Sequence, residues 1–147
     1  MDLTEAIEHL GLAKSVPGLT DAIDRSESLI RRMRAALLDL GGHEDMDVVA
    51  FGSLARREYT AASDVDHSVL VGAMPDNPAA PRELLQRVDE RLAEEALTDG
   101  APKTPGTSGL FGRATGVFDI VNQVGLEGDT NFTHTIRMEI TLSANLG

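Results

Sequence analysis

The stretch Val48–Val71, VVAFGSLARREYTAASDVDHSVLV, constrains the fold more than any other part of the chain. A β-rich run, Met46–Phe51, breaks at Gly52-Ser53 and passes into a short polar helix. A second β-type run, Asp64–Val71, then opens with Asp64-Val65-Asp66. Gly52 lets the backbone approach a phosphate with no Cβ in the way. Ser53 falls where the N-cap of the short helix is expected, so its hydroxyl and the free amides behind it face an anion. Two aspartates two apart on a strand point to the same face. Their charges repel unless a cation sits between them. Mg²⁺ held by one or two carboxylates plus substrate phosphates is the cation that fits. A phosphate cradle opposite a metal-holding pair is the layout for phosphoryl or nucleotidyl transfer.

The rest of the chain is read around this centre. Leu3, Ile7 and Leu10 at helical spacing predict a short helix over 2–14, ended by Gly11 and Pro17-Gly18. Leu19, Ile23, Ser26, Ile30, Met33, Leu37 and Leu40 follow an alternating four-three spacing, broken in character only by Ser26. They predict a helix over 19–40, capped by Thr20 and Asp21 and stopped by Gly41-Gly42, with its stripe in the core rather than at a dimer seam. Residues 82–97 predict another helix with Leu85, Val88 and Leu92 inward. Residues 99–116 are rich in Gly and Pro and predict a loop, whose Lys103 and Arg113 would suit closure over a triphosphate. Val117–Val121 is a third strand or a strand running into a helix. The tail has two readings. Ile136, Met138, Ile140 and Leu142 alternate as in a strand, while Phe132, Ile136 and Ile140 fit a helix capped by Thr130 or Asn131. The order of elements suggests an α+β or α/β architecture with a small sheet covered by helices. We divide the chain into an N-terminal helical segment, 1–44, packed on a domain over 45–147.

Composition removes several function classes. The 147 residues carry 13 Lys and Arg against 24 Asp and Glu, a formal net charge of −11, and no cysteine. Disulfide frameworks, thiolate zinc sites and cysteine nucleophiles are excluded. The acid excess and low aromatic content argue against free nucleic acid as a partner. No apolar run is long enough to span a bilayer, so the expectation is a cytoplasmic protein with no membrane partner. The acids divide as 10 in residues 1–50, 10 in 51–100 and 4 in 101–147, which places the anionic character in the first two thirds.

Gly-Ser, ten residues, then Asp-x-Asp resembles the signature of the polymerase-β-type nucleotidyltransferase superfamily. Within it, GSLARREYTAASDVD is similar to nucleotidyltransferase domains related to the enzymes that uridylylate PII protein and adenylylate glutamine synthetase. Gly52, Ser53, Ala55, Arg56, Glu58, Thr60, Ser63, Asp64 and Asp66 match that pattern, and Arg57 replaces its usual glycine. Asp119, Gly125, Asp129, Thr130, Asn131 and Arg137, in FDIVNQVGLEGDTNFTHTIRMEITL, match a second segment of those domains, and together the two span residues 46–142. The resemblance implies an α+β nucleotidyltransferase fold, with a small mixed β-sheet flanked by helices. It implies Mg²⁺, two ions when an NTP is bound, held by Asp64 and Asp66. It implies nucleotide binding at Gly52, Ser53, Arg56, Ser63 and Asn131, and transfer of an NMP, with ATP the expected donor, to a hydroxyl of a protein or small molecule. A third catalytic carboxylate is expected from Asp119, with Glu139 the substitute if the tail is a strand. The helical domain that usually follows would come from a partner chain or a second copy, or is not needed.

Several of these residues have a plainer reading beside them. Arg56 and Arg57 fit exposed helix arginines as well as phosphate contacts. Asp129-Thr130-Asn131 fits a turn and helix cap. His67 falls on the opposite face from Asp66 and is expected to pack in the core. The alternative function is a catalytically inactive regulatory or antitoxin-type binding module of the same fold.

Overall fold

The computed structural model describes residues 3–38, 40, 45–73, 75–96 and 112–144. The expected helix stop at Gly41-Gly42 and the loop residues 99–111, with Lys103, lie outside the described residues. The elements are helix α1 (Leu3–His9), helix α2 (Pro17–Leu38), strand β1 (Met46–Ala50), helix α3 (Gly52–Ala55), strand β2 (His67–Val71), helix α4 (Ala80–Ala96), strand β3 (Ala114–Gly116), helix α5 (Val117–Asn122) and helix α6 (Asn131–Ala144).

α1 is shorter than its apolar spacing suggests, because the chain turns at Leu10–Gly11, where Gly11 takes φ +66°. α2 starts before the expected Thr20-Asp21 cap. Pro17 opens it, since a missing N–H costs nothing in the first turn. The Val16 carbonyl accepts from Leu19 and Thr20 instead.

The sheet has the order β1-β2-β3. β1 and β2 are antiparallel with Ala50 opposite His67, and β2 and β3 are parallel with Val69 beside Ala114 and Val71 beside Gly116. Side-chain alternation sends the strands' residues to two cores. On one side Val48, Ala50, Val69 and Val71 meet Leu29, Met33 and Leu40 from the α2 region, Leu54, and Leu84, Val88 and Leu92 of α4. On the other, Val49, Leu70 and Phe51 meet Ile120 of α5 and Phe132, Ile136 and Ile140 of α6. On α4 Leu84 is buried with Val88 and Leu92, and Leu85 lies at the margin of the core.

In the last third one expectation changes and one open alternative is decided. The third strand is Ala114–Gly116, inside the stretch expected to be loop, and VFDIV is helical throughout. The tail is a helix, so Glu139 lies on α6 and not on a strand. Both outcomes have one cause. Tertiary packing of Ile120 and Ile136 onto the sheet decides these short apolar runs, where local periodicity is equivocal.

Candidate nucleotide and metal site

The site begins where β1 ends. The Phe51 N–H donates to the Asp66 carbonyl at 2.9 Å, which continues the ladder one step past the Ala50–His67 pair. Phe51 is fully buried, with extended backbone, and it is the N-cap of α3. The expected cap, Ser53, is instead the second residue of that four-residue helix. Its carbonyl accepts the Glu58 N–H at 2.7 Å. Gly52 has φ +61°, and a Cβ there would stand 2.7 Å from Asp66 Oδ2. Glycine is required twice over, for the left-handed backbone and for the approach of a carboxylate. The Gly-Ser turn and the second aspartate of Asp-x-Asp are thus brought together.

The turn after α3 closes on Arg57, a non-glycine residue at φ +60°. Its Nε is 2.6 Å from Glu27 Oε1 on α2, and its guanidinium also donates to the Ala55 carbonyl at 3.3 Å. The turn is therefore tight despite the loss of the related domains' glycine. Next, the Thr60 N–H donates to Ser63 Oγ at 3.1 Å and the Ser63 N–H to the Thr60 carbonyl at 3.0 Å. Ser63 holds this turn directly before Asp64. Asp64 and Asp66 are half-buried and flank the buried Val65, all three in the irregular stretch that leads into β2.

The remaining candidates are distributed around this centre. Asp119 stands three residues past Gly116, in the first turn of α5, exposed, with its Oδ2 3.1 Å from where a Gly116 Cβ would stand. Gly116 is level with Val71, whereas Asp66 lies just before His67 at the other end of β2. The chain level with His67 is Gly112, whose N–H donates to the His67 carbonyl at 2.7 Å, followed by Arg113, whose carbonyl accepts from Val69 at 3.1 Å. Neither is acidic. Arg56 is half-exposed and paired twice, with Glu58 at 3.0 Å and with Glu139 of α6 at 3.7 Å. Among the described residues no group of three or more His, Asp or Glu is placed to hold a metal ion. Asp64 and Asp66 still suit Mg²⁺ that arrives on a triphosphate, because Mg²⁺ takes one or two carboxylates and completes its shell with phosphate and water. The Cβ-free cradle at Gly52, against the Asp66 carboxylate, is the observation that fits it.

Asn131 is exposed and opens α6. Its neighbour Asp129 is committed to structure. Asp129 accepts from the Gly125 N–H at 2.8 Å, Thr133 Oγ1 at 2.8 Å and Arg137 at 2.6 Å. The Gly125 amide, then the Arg137 and Thr133 bonds, hold its carboxyl well below the usual carboxylate range. Thr130 and Thr133 complete the cap by bonding each other's N–H groups.

Two partnerships escaped sequence reasoning. Ser26, the polar break in the α2 stripe, is fully buried; its Oγ donates to the Ala22 carbonyl at 2.7 Å and accepts the Tyr59 N–H at 3.1 Å. The break in the stripe was its signal. His67 packs at 2% exposure, on the face expected, but its Nε2 also lies 2.8 Å from Asp89 Oδ1 of α4. No spacing rule links residues 67 and 89.

No helix among the described residues is long and apolar enough to cross a membrane. No curated protein and no solved structure matches the chain. Residues 30–99, which include Gly52, Ser53, Asp64 and Asp66, match the family model described as nucleotidyltransferase domain. The match covers 70 of the 147 residues and makes that part of the chain similar to such a domain, and the helices around the small mixed sheet are consistent with an α+β nucleotidyltransferase fold.

Proposed function

We propose that the chain is a Mg²⁺-dependent nucleotidyltransferase that moves an NMP from an NTP, with ATP the first donor to test, onto a hydroxyl. The observation that carries this reading is the contact between Gly52 and the Asp66 carboxylate, which joins a phosphate-approachable backbone to a metal-holding side chain. Asp64 and Asp66 would hold the ion, and Gly52 and Ser53 the β and γ phosphates. Bound there, Mg²⁺ supplies charge neutralisation of the triphosphate. The acceptor hydroxyl gives up its proton to solvent as its oxygen forms a bond to the α-phosphorus, the bond from that phosphorus to the bridging oxygen breaks, and pyrophosphate leaves. Arg113, whose guanidinium lies over the Phe132 ring at 5.6 Å, is on the α6 side of the sheet with Phe51 and would be a cation for the phosphates beside Arg56. The resemblance to domains related to the enzymes that modify PII protein and glutamine synthetase makes a protein hydroxyl the acceptor class to test beside small molecules.

The test is transfer of label from α-labelled ATP. The Asp64→Asn, Asp66→Asn double variant should lose labelling to background while its circular dichroism stays that of the wild type. Undiminished labelling in that variant sinks the assignment. Asp119→Asn decides the third carboxylate. Loss to the level of Asp64→Asn puts Asp119 in the site, and full activity leaves it as a residue of the α5 first turn.

A further inference from the structure

We infer that His67 is a positioning residue for the Asp66 carboxylate, acting through the peptide between the two aspartates and oriented by Asp89 from the far side of the sheet. The inference rests on the nucleotidyltransferase reading and extends it to residues that no motif includes. His67 Nδ1 is 3.2 Å from the Val65 carbonyl, which belongs to the peptide that enters Asp66. The peptide that leaves Asp66 is held too, by the Phe51 N–H on the Asp66 carbonyl at 2.9 Å. Beyond it, the His67 carbonyl accepts from Gly112 at 2.7 Å. Both peptides that flank Asp66 therefore have a partner in reach, His67 Nδ1 for the first and the Phe51 N–H for the second. With its backbone set, the Asp66 carboxylate meets Gly52. Val65 O and Asp89 Oδ1 are both acceptors, so the ring donates to one of them from whichever nitrogen carries its hydrogen, and to both at once only as the imidazolium. At 2% exposure the ring has no water to replace either partner, whereas Asp89 is 46% exposed and can be altered from the surface. An imidazole used only for packing needs neither bond, and an apolar residue would fill the place with less desolvation cost.

The two ring nitrogens can be replaced separately. An Asn amide nitrogen falls near Nδ1 and a Gln amide nitrogen near Nε2. His67→Asn keeps the donor to Val65 O, and His67→Gln keeps only the reach to Asp89. The probe is Mn²⁺ with α,β-methylene-ATP on the full chain, with free Mn²⁺ followed by EPR, so that no turnover is needed. His67→Gln should bind the pair about tenfold more weakly than wild type, the scale of one lost hydrogen bond, with His67→Asn within about threefold. Asp89→Ala and Asp89→Asn give a second comparison that leaves the buried ring in place. The alanine variant should weaken binding about threefold, and the asparagine variant, which keeps an acceptor oxygen, should match wild type. Equal binding by the folded Asn and Gln variants of His67, or equal binding by the two Asp89 variants if the His67 variants fail to fold, overturns the role. Wild-type protein that binds no Mn²⁺ with the nucleotide overturns the nucleotidyltransferase reading and His67's role with it. Wild-type binding with unchanged variants overturns His67's role alone.

Discussion

At the scale of single residues the site turns on two left-handed positions, Gly52 and Arg57, at φ +61° and +60°. They bracket α3, and they tolerate change differently. Gly52→Ala forces a Cβ to within 2.7 Å of Asp66 Oδ2, so the carboxylate must move. We expect a stability loss of about 1–2 kcal/mol from the backbone alone, read as a urea midpoint shift. Transfer should be lost at the same time, because the displaced group is Asp66. Retained transfer would show that the Gly52–Asp66 contact is incidental. Arg57 is the reverse case, a side chain held in a conformation that glycine prefers. Its pair with Glu27 joins two half-exposed groups and is worth at most about 1 kcal/mol. Arg57→Gly removes both the strain and the pair, whereas Arg57→Ala removes the pair and keeps the strain. The glycine variant should therefore be more stable than the alanine variant by about 1 kcal/mol in urea. Equal midpoints would mean that the turn relaxes when the arginine is gone.

Among elements, α2 and α6 each carry a polar anchor that fixes their docking. Ser26 ties α2 to the segment behind α3 through the Tyr59 N–H. Ser26→Ala removes an acceptor from a fully buried place and should cost about 1–3 kcal/mol in chemical denaturation. A loss of only a few tenths would make the serine a filler of the stripe. At α6 the anchor is Asp129, and it makes stability depend on pH. Its carboxyl is held below the ordinary range in the fold and is free in the unfolded chain. The charged form is the bonded one, so its contribution is complete above the unfolded value of about 4 and is lost as pH falls toward the folded value. Asp129→Asn should be less stable than wild type at pH 7, and the gap should narrow below pH 4 in urea titrations at each pH. A gap that does not change with pH would remove Asp129 from the acid response. These elements also show what was legible in the sequence. The cap at Asp129–Thr130 and the Gly52-Ser53 turn are local in sequence and announce themselves by residue type. The β3–α5 boundary does not, since ATG and VFDIV are too short for periodicity to choose between strand and helix. Ser26–Tyr59 and His67–Asp89 join residues 33 and 22 apart, a relation that only tertiary packing creates.

For the whole molecule, the three-stranded sheet between α2 and α4 on one side and α5 and α6 on the other was legible as a class from the order of elements. The placement of Asp119 was not, because it depends on β3 ending level with Val71. That placement changes what the net charge of −11 means for the ligand. An NTP approaching such a chain is repelled at long range, and less so when a divalent ion travels with it. With two carboxylates in the proposed role and no third acid grouped with them among the described residues, free Mg²⁺ has few ligands to gain without phosphate. Metal and nucleotide should therefore stabilise the fold jointly rather than separately. At a concentration 100 times its Kd, a ligand that binds only the folded chain adds about 2.7 kcal/mol. For a chain of this size that is a Tm rise on the order of 5–10 °C. Scanning calorimetry with ATP and Mg²⁺ together should show this rise. ATP with EDTA, or Mg²⁺ alone, should each shift Tm by less than about 2 °C at matched ionic strength, since site occupancy supplies the stabilisation. The Asp64→Asn variant should lose the joint rise. A full rise with Mg²⁺ alone would point to a preformed metal centre. A full rise with ATP in EDTA would place the nucleotide on cations such as Arg56 and Arg113 instead of on the aspartates.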